Sequence, residues 1–197
     1  MRLVAFDPAD AGVVSGWATD PVEVAMWCGH KEVASRPANR PCERDDPRPS
    51  GPVASRPANR PCERDDPRPS GLAPVPPAAI VAWSTDDSVR AYALYGDDGA
   101  LLAYGELWLD AEEQEVELAR LIVNPARRGA GVGRRLVTLL AAQATTHYPG
   151  VFLRVHPDNA AALRSYTSAG FVSVPDDLQS EWNAPQPVNY VWLRLPV

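Results

Sequence analysis

The pattern of apolar and polar positions predicts strands from residue 89 to residue 123. Apolar runs bounded by turn residues predict three strands, at Val89–Tyr95, Leu101–Asp110 and Glu115–Val123. The sequence Gly-Asp-Asp-Gly at 96–99 predicts a hairpin turn between the first two. Because all the connections are short, we expect the three strands to form an antiparallel meander.

Helical and strand-like segments alternate after residue 123. Apolar residues recur at helical spacing from Val132 to Ala144, which predicts a helix over 132–147. The segments that follow predict further elements: a strand at 151–155, a helix at 159–169 closed by Gly170, and strands at 171–174 and 190–195. The chain is therefore expected to adopt an α/β fold with a mixed sheet, in which central antiparallel strands precede a strand–helix–strand–helix half.

Short elements are also predicted before the meander. A strand is expected at 2–7, and Asp7-Pro8-Ala9-Asp10 then opens a helix, since proline favours the first turn. We expect that helix to bury Val13, Val14 and Trp17. Two further helical segments are predicted at Pro21–Cys28 and at 77–83.

An exact repeat separates these early elements from the rest of the chain. Residues 33–51 and 53–71 are identical, and 12 of the 21 prolines lie between 33 and 77. Each copy has few apolar residues, so burial cannot offset the entropy lost on ordering. We therefore predict one domain formed by 1–32 and 78–197, interrupted by a disordered or polyproline-like insertion at 33–77. The alternative for the insertion is a partner-binding arm.

Composition excludes several classes of function. The 197-residue chain has a net charge of −6, which disfavours general nucleic-acid binding. Its three cysteines form no CxxC pair and no ligand spacing with its three histidines, so neither a metal site nor a disulfide framework is expected. A reducing, cytoplasmic setting follows from that cysteine usage. The sequence also lacks a signal-peptide run and any membrane span of about 20 apolar residues.

The segment 118–140 carries the strongest chemical signal, because a strand leads through a glycine-rich loop into a helix. Backbone N–H groups in that loop can converge on a phosphate, helped by the helix dipole; they belong to Arg128, Gly129, Ala130, Gly131, Val132 and Gly133. A P-loop is excluded because no GxxxxGK[ST] run is present. The dinucleotide fingerprint GxGxxG fails because Arg134 occupies its third glycine position.

Two blocks of residues carry a further signal. The first is R-x-x-G-x-G at 128–133, with Val123 and Pro125 upstream. The second follows the next strand and is formed by Asn159, Ala162, Tyr166, Gly170 and Phe171. Together they resemble the acyl-CoA motif and the later helix of the GNAT N-acetyltransferase superfamily. The resemblance implies an acyltransferase that uses acetyl-CoA, without a metal, to acetylate a small-molecule or peptide amine. The resemblance is compatible with a homodimer. The alternative function is that of a non-catalytic acyl-CoA-binding or sensor module with the same fold.

The resemblance also implies roles for particular residues. Acetyl-CoA is expected between strands 118–123 and 151–155, with its pyrophosphate on 128–133. The pantetheine arm would pair with the backbone of Leu121, Ile122 and Val123, and an N–H near Val123 would polarise the thioester carbonyl. Asn159 would contact the cofactor, although a helix cap alone also explains this residue.

Proton transfer needs an acid and a base, and the resemblance supplies candidates for both. Tyr166 matches the family's usual acid; a core aromatic is the competing interpretation. Glu117 is the first choice for the base and Glu106 the second. If no bulge intervenes, residues 115, 117, 119, 121 and 123 share one strand face. The acids between Glu106 and Glu117 would suit a cationic amine.

The composition of the repeats yields a first test. Deleting residues 33–71 removes few apolar groups, so we expect the melting temperature to stay within a few degrees of that of the full chain. Thermal melts followed by circular dichroism would measure this. A collapse of the cooperative transition in the deleted chain would show that the repeats stabilise the fold.

Overall fold

The computed structural model describes residues 1–28, 75–186 and 188–196. Both repeats lie outside the described residues. The elements are, in chain order, β1 (Arg2–Ala5), a 3₁₀ turn (Pro8–Asp10), α1 (Ala11–Ser15), α2 (Pro21–Cys28), α3 (Pro77–Ser84), β2 (Val89–Tyr95), β3 (Leu101–Asp110), β4 (Glu115–Val123), a 3₁₀ turn (Pro125–Arg127), α4 (Val132–Ala144), β5 (Gly150–Val155), α5 (Ala160–Ser168), β6 (Val172–Ser173), α6 (Asp176–Asn183) and β7 (Val191–Arg194). Within the described part of the chain, no helix combines the length and the apolar character that a membrane crossing needs.

The predicted α/β fold with a mixed sheet is confirmed. The described strands form one sheet in the order β1-β2-β3-β4-β5-β7-β6, and β4 with β5 is its parallel pair. The meander of β2, β3 and β4 has the predicted bounds. The strand–helix–strand–helix half then follows as β4, α4, β5 and α5.

No helix is predicted between the strands at 171–174 and 190–195, but α6 lies there. The helix spans Asp176–Asn183 and follows Pro175, with Asp176 and Asp177 in its first turn, where the helix dipole favours acids. Its apolar residues lie four apart and pack beside Trp192 on β7: they are Leu178 and Trp182. The contact between Trp182 and Trp192 therefore stabilises a helix whose apolar pattern is too short to be recognised from the sequence.

A β-bulge in β4 changes which residues share a face. Tyr104 pairs with Ile122 while Glu106 pairs with Ala119, so β4 has one more residue than β3 between these pairs. Arg120 lies at the bulge with a φ of +48°. A bulge therefore intervenes, and the alternation that 115–123 would have without one does not hold. Leu118 and Leu121 instead both pack toward the α4 side of the sheet.

Helices cover the two faces of the sheet separately. The α4–α5 side holds the larger core, which includes Leu107, Leu136 and Leu140. The opposite face packs against α1, α2 and α3 through Trp17, Trp27, Trp83, Tyr104 and Ile122. Val14 and Trp17 are buried as predicted, whereas Val13 is 51% exposed. The buried face of α1 carries Ala11, Val14 and Ser15 at helical spacing, and Val13 lies on the other face.

The folded region resumes before the predicted end of the insertion. Val75 is 2% exposed, and its carbonyl oxygen accepts a hydrogen bond from the Ser15 hydroxyl at 2.6 Å. Residues 75–77 therefore belong to the folded body rather than to the insertion predicted over 33–77. The rest of that predicted insertion, 33–74, lies outside the described residues.

Gly105 allows β3 to lie close to α4, and this contact can be tested. A Cβ atom at Gly105 would lie 2.6 Å from Leu121 Cδ2 and 2.8 Å from Leu140 Cδ1, both in the core. We expect Gly105→Ala to lower the free energy of unfolding by about 1–3 kcal/mol through overpacking. Gly12→Ala is the matched control, because nothing lies within 4 Å of its Cβ position. Urea unfolding with equal stability for both variants would contradict the packing argument.

Candidate active site

A cleft of about 700 Å³ opens where β4 and β5 separate. The two strands pair only from Glu115 with Gly150 to Glu117 with Phe152, and the edge of β4 after residue 117 has no partner on β5. One end of the cleft, the loop end, is lined by Gly129, Gly131, Gly133 and Arg134. The other end, the closed end, is lined by Trp27, Trp108, Glu117, Arg120, Arg154 and Tyr190.

The loop end has the geometry of an anion cradle. Gly129 and Gly131 both have a φ of +78°, and a Cβ atom on either would meet nothing within 4 Å. Gly131 is the N-cap of α4, whose first N–H groups have no acceptor within the helix. In the described part of the chain, the N–H groups of 129–131 donate to no backbone carbonyl either. Unpartnered donors around open space fit a phosphate group.

Arg128 lies at the cradle but is engaged elsewhere. Its backbone N–H donates to the Pro125 carbonyl at 3.3 Å. Its guanidinium pairs with Glu23 on α2 and donates to the carbonyl oxygens of Trp17 and Val123. The predicted anion-binding residue therefore ties the loop to the N-terminal helices, and the donors that remain belong to residues 129–133. Exposed Arg134 supplies positive charge beside them.

The other predicted loop residues have different environments. Ala130 is exposed in the loop, whereas the Val132 side chain is 3% exposed in the core, so only its backbone is available to a ligand. A Cβ atom at Gly133 would lie 3.3 Å from Ser165 Oγ on α5. Glycine at this position therefore lets α4 approach α5 closely.

The unpaired edge of β4 turns backbone groups toward the cleft. The Asn124 N–H donates to the Leu102 carbonyl on β3 at 2.9 Å. Because the direction of backbone groups alternates along the regular part of the strand, the Val123 N–H faces the opposite edge, toward β5. Ile122, next to it, buries its side chain against the N-terminal helices. All three predicted β4 residues line the cleft.

Helix α5 contributes the next two predicted residues. Asn159 is its N-cap, and the side-chain oxygen accepts the Ala162 N–H at 3.0 Å. Tyr166, two turns further on, is 9% exposed and lines the same cleft. Burial raises the pKa of the Tyr166 hydroxyl above its ordinary value of 10.0, so the hydroxyl stays protonated at neutral pH.

The two candidate bases are both ion-paired. Glu117 Oε1 accepts from Arg154 Nε at 3.0 Å, and both side chains are mostly buried. Glu106 is fully buried and accepts hydrogen bonds from Tyr104 Oη at 2.6 Å, Trp108 Nε1 at 2.6 Å and Arg120 Nη1 at 3.0 Å. Glu106 and Glu117 are therefore not isolated carboxylates. The exposed acids between them, Asp110, Glu112 and Glu113, lie outside the residues that line the cleft.

Sequence reasoning missed Arg120 and Arg154. The guanidinium carbon of Arg120 lies 3.8 Å from the centre of the Trp83 ring and 4.9 Å from that of Trp108. Trp27 Nε1 donates to the Arg120 carbonyl at 2.8 Å. An arginine inside the apolar run Leu-Ala-Arg-Leu-Ile-Val was the available signal, since a charge in a buried strand needs a partner.

Comparison with known proteins places these features in one family. A model of the acetyltransferase (GNAT) family matches residues 58–171, more than half of the chain. A mycothiol acetyltransferase from Jonesia denitrificans is 35% identical over 92 residues, covering 45% of this chain and 29% of the relative. Another from Kineococcus radiotolerans is 34% identical over 105 residues, covering 49% and 35%. The chain spans about a third of the length of these curated relatives.

Solved structures share the fold over nearly the whole chain. The spermidine N-acetyltransferase from Vibrio cholerae in complex with CoA and spermine has a TM-score of 0.59 at 14% identity, covering 98% of this chain and 92% of that one. A chimera of the same enzyme also has a TM-score of 0.59 at 14% identity, covering 99% and 95%. At this level of identity the likeness shows the fold alone.

The open space at Gly131 can be tested with a matched control. Gly131→Val would fill the cradle, so we expect acetyl-CoA binding to weaken at least ~10-fold, on the order of 1.4 kcal/mol. Gly99→Val is the control, because Gly99 has a φ of +77° and equally open space in the β2–β3 turn, outside the residues that line the cleft. Calorimetric titration of both folded variants measures the difference. Equal affinities would remove the loop from the binding site.

Proposed function

Because this chain belongs to the GNAT acetyltransferase family, we propose that it transfers the acetyl group of acetyl-CoA to an amine by direct attack. The observation that carries the proposal is the separation of β4 from β5, with a glycine cradle at one end and paired charges at the other. A single cleft can therefore hold a long cofactor beside an acceptor. Acetyl-CoA, when bound, supplies the thioester that the amine attacks.

The chain offers acetyl-CoA a continuous set of backbone donors. In this proposal, the N–H groups of 129–133 and the first turn of α4 hold the pyrophosphate. The unpaired edge of β4 then binds the amides of the pantetheine arm, as an added strand would. Asn159, which caps α5, flanks this path from the opposite wall.

One β4 N–H is proposed to stabilise the negative charge that develops on the thioester oxygen. The Val123 N–H faces the gap between the strands, where no strand partner competes for it. A donor fixed in this way needs no reorganisation during the reaction, and such a group typically contributes about 10²–10³ in rate. The bulge at Arg120 supports this role because it sets the register of the residues that follow.

Two side chains are proposed to move protons. Glu117 uses the carboxylate oxygen that Arg154 does not occupy, directly or through water, to remove the proton of the attacking ammonium. Glu106, the second choice, is enclosed by Tyr104, Trp108 and Arg120 and is fully buried, so an amine cannot reach it. The Tyr166 hydroxyl, kept protonated by burial, donates its proton to the leaving thiolate.

The acceptor is proposed to be a small-molecule amine. Its support comes from the relatives named mycothiol acetyltransferases and from the fold shared with an enzyme solved with spermine. Paired charges and indole rings at the closed end suit a compact molecule.

The role of Tyr166 is the sharpest test of the mechanism. Tyr166→Phe removes only the hydroxyl, so we expect kcat to fall by roughly 10²–10⁴ while the Kd for acetyl-CoA stays nearly unchanged. Tyr148→Phe is the matched control, because Tyr148 packs beside the same core but does not line the cleft. Thiol release measures the rate, and calorimetry measures the affinity.

The outcomes of this experiment separate enzyme from sensor. A wild-type rate in Tyr166→Phe would show that another group protonates the thiolate and that Tyr166 only packs. If the wild-type chain binds acetyl-CoA but releases no thiol with any amine, the chain is an acyl-CoA-binding module instead.

A further inference from the structure

The closed end of the cleft has no net formal charge once Glu106 is counted, a buried acid that pairs with Arg120 but does not itself line the cleft. Glu106 pairs with Arg120 and Glu117 pairs with Arg154, both at 3.0 Å. Glu106 is fully buried and accepts three hydrogen bonds, so its charge is already compensated. An acceptor with several positive charges therefore finds no row of open carboxylates here.

Two side chains that line this end, Glu117 and Arg120, retain unused hydrogen-bonding capacity, and so does Trp83, which stacks on Arg120 but does not line the cleft. Arg154 contacts Oε1 of Glu117, and the described residues provide no partner for Oε2. Arg120 Nε is buried and has no hydrogen-bond partner among the described residues. Trp83 Nε1, in the ring stacked on that guanidinium, is likewise a buried donor without a described partner. A buried donor left unpaired costs about 1–3 kcal/mol, which a ligand acceptor would recover.

Arg120 is held in place before any ligand arrives. Its guanidinium lies against the rings of Trp83 and Trp108, and its side chain is 12% exposed. Its carbonyl accepts a hydrogen bond from Trp27, and the bulge constrains its backbone. A guanidinium fixed in this way loses little entropy on binding, and its planar shape matches a carboxylate.

We propose that the acceptor is a zwitterionic amine, which places its ammonium against Glu117 and its carboxylate against Arg120. This rests on the proposed function, in which the closed end holds the acceptor. A polyamine fits poorly, because a second ammonium would lie beside Arg120 or Arg154, and like charges disfavour binding. Arg154 is the weaker choice for the carboxylate, since Glu117 and Gln186 already accept from its guanidinium.

The test compares acceptors that differ in one group. For two side chains, those of alanine and phenylalanine, the panel holds the amino acid, its amide and the amine that lacks the carboxyl group; spermidine completes it. Binding is measured by calorimetry on the full chain saturated with CoA, and turnover by thiol release from acetyl-CoA. We expect each amino acid to bind at least ~10-fold more tightly than its amide. Spermidine is expected to bind most weakly.

A variant links the preference to the arginine. Arg120→Lys keeps the charge beside Glu106 but removes Nε and the planar fork, so the preference for amino acid over amide should fall to threefold or less. Arg90→Lys, on β2 and outside the residues that line the cleft, should leave the preference unchanged. Because the ratio is taken within each protein, a general loss of stability does not imitate the effect. If Arg120→Lys does not fold, the ratio of amino-acid affinity to amide affinity in the wild-type chain alone decides whether the proposal holds.

Each outcome bears on one proposal at a time. Tight binding of the amino acids without thiol release would support the acceptor class and contradict acetyl transfer. Thiol release that is fastest with spermidine or with the simple amines would support transfer and overturn the acceptor class. If no member of the panel binds, or if the amides bind as tightly as the amino acids, the zwitterion proposal is wrong.

Discussion

The central strand β4 pairs with β3 along its length except at the bulge, but it pairs with β5 only as far as Glu117. Backbone donors and acceptors within a protein must find partners, so an unpaired strand edge beside a cleft is a built-in place for a ligand with amide groups. The other features of the site follow from that separation. The glycine-rich loop begins at the end of β4 that is not paired with β5, and α4 starts where this loop ends. Helix α5 forms the wall of the cleft opposite β4.

A buried ion pair maintains the shape of β4 at the point where the strands separate. Arg120 lies at the bulge, and Glu106 on the neighbouring strand accepts from it while also accepting from Tyr104 and Trp108. Charges removed from water are costly unless both partners and further hydrogen bonds compensate them. Arg120 is therefore in contact with Trp27, Trp83, Trp108 and the Glu106 carboxylate. Through Trp27 and Trp83, these contacts connect the sheet to the N-terminal helices.

Local pattern predicted most of the fold because the strands and long helices have strong periodicity. The meander was correct to the residue, and the glycine-rich loop lies between β4 and α4 as predicted. The failures came where distant contacts decide. Helix α6 forms against the aromatic residues of β5 and β7, and Val13 is exposed because α1 packs through the face that carries Ala11 and Val14. The bulge in β4 depends on its register with β3, which the sequence of one strand does not encode.

The sequence by itself determined the fold class, the family resemblance, and the candidate cradle at 128–133, because these depend on local spacing and on residues that require special backbone geometry. Only the tertiary structure decided the electrostatics of the site. It showed that Arg128 is engaged with Glu23 and that Glu106 and Glu117 are each paired with an arginine. Charges interact through space over a few ångströms, and the partners here are separated by 14, 37 and 105 positions along the chain. No local pattern reports pairs at such separations.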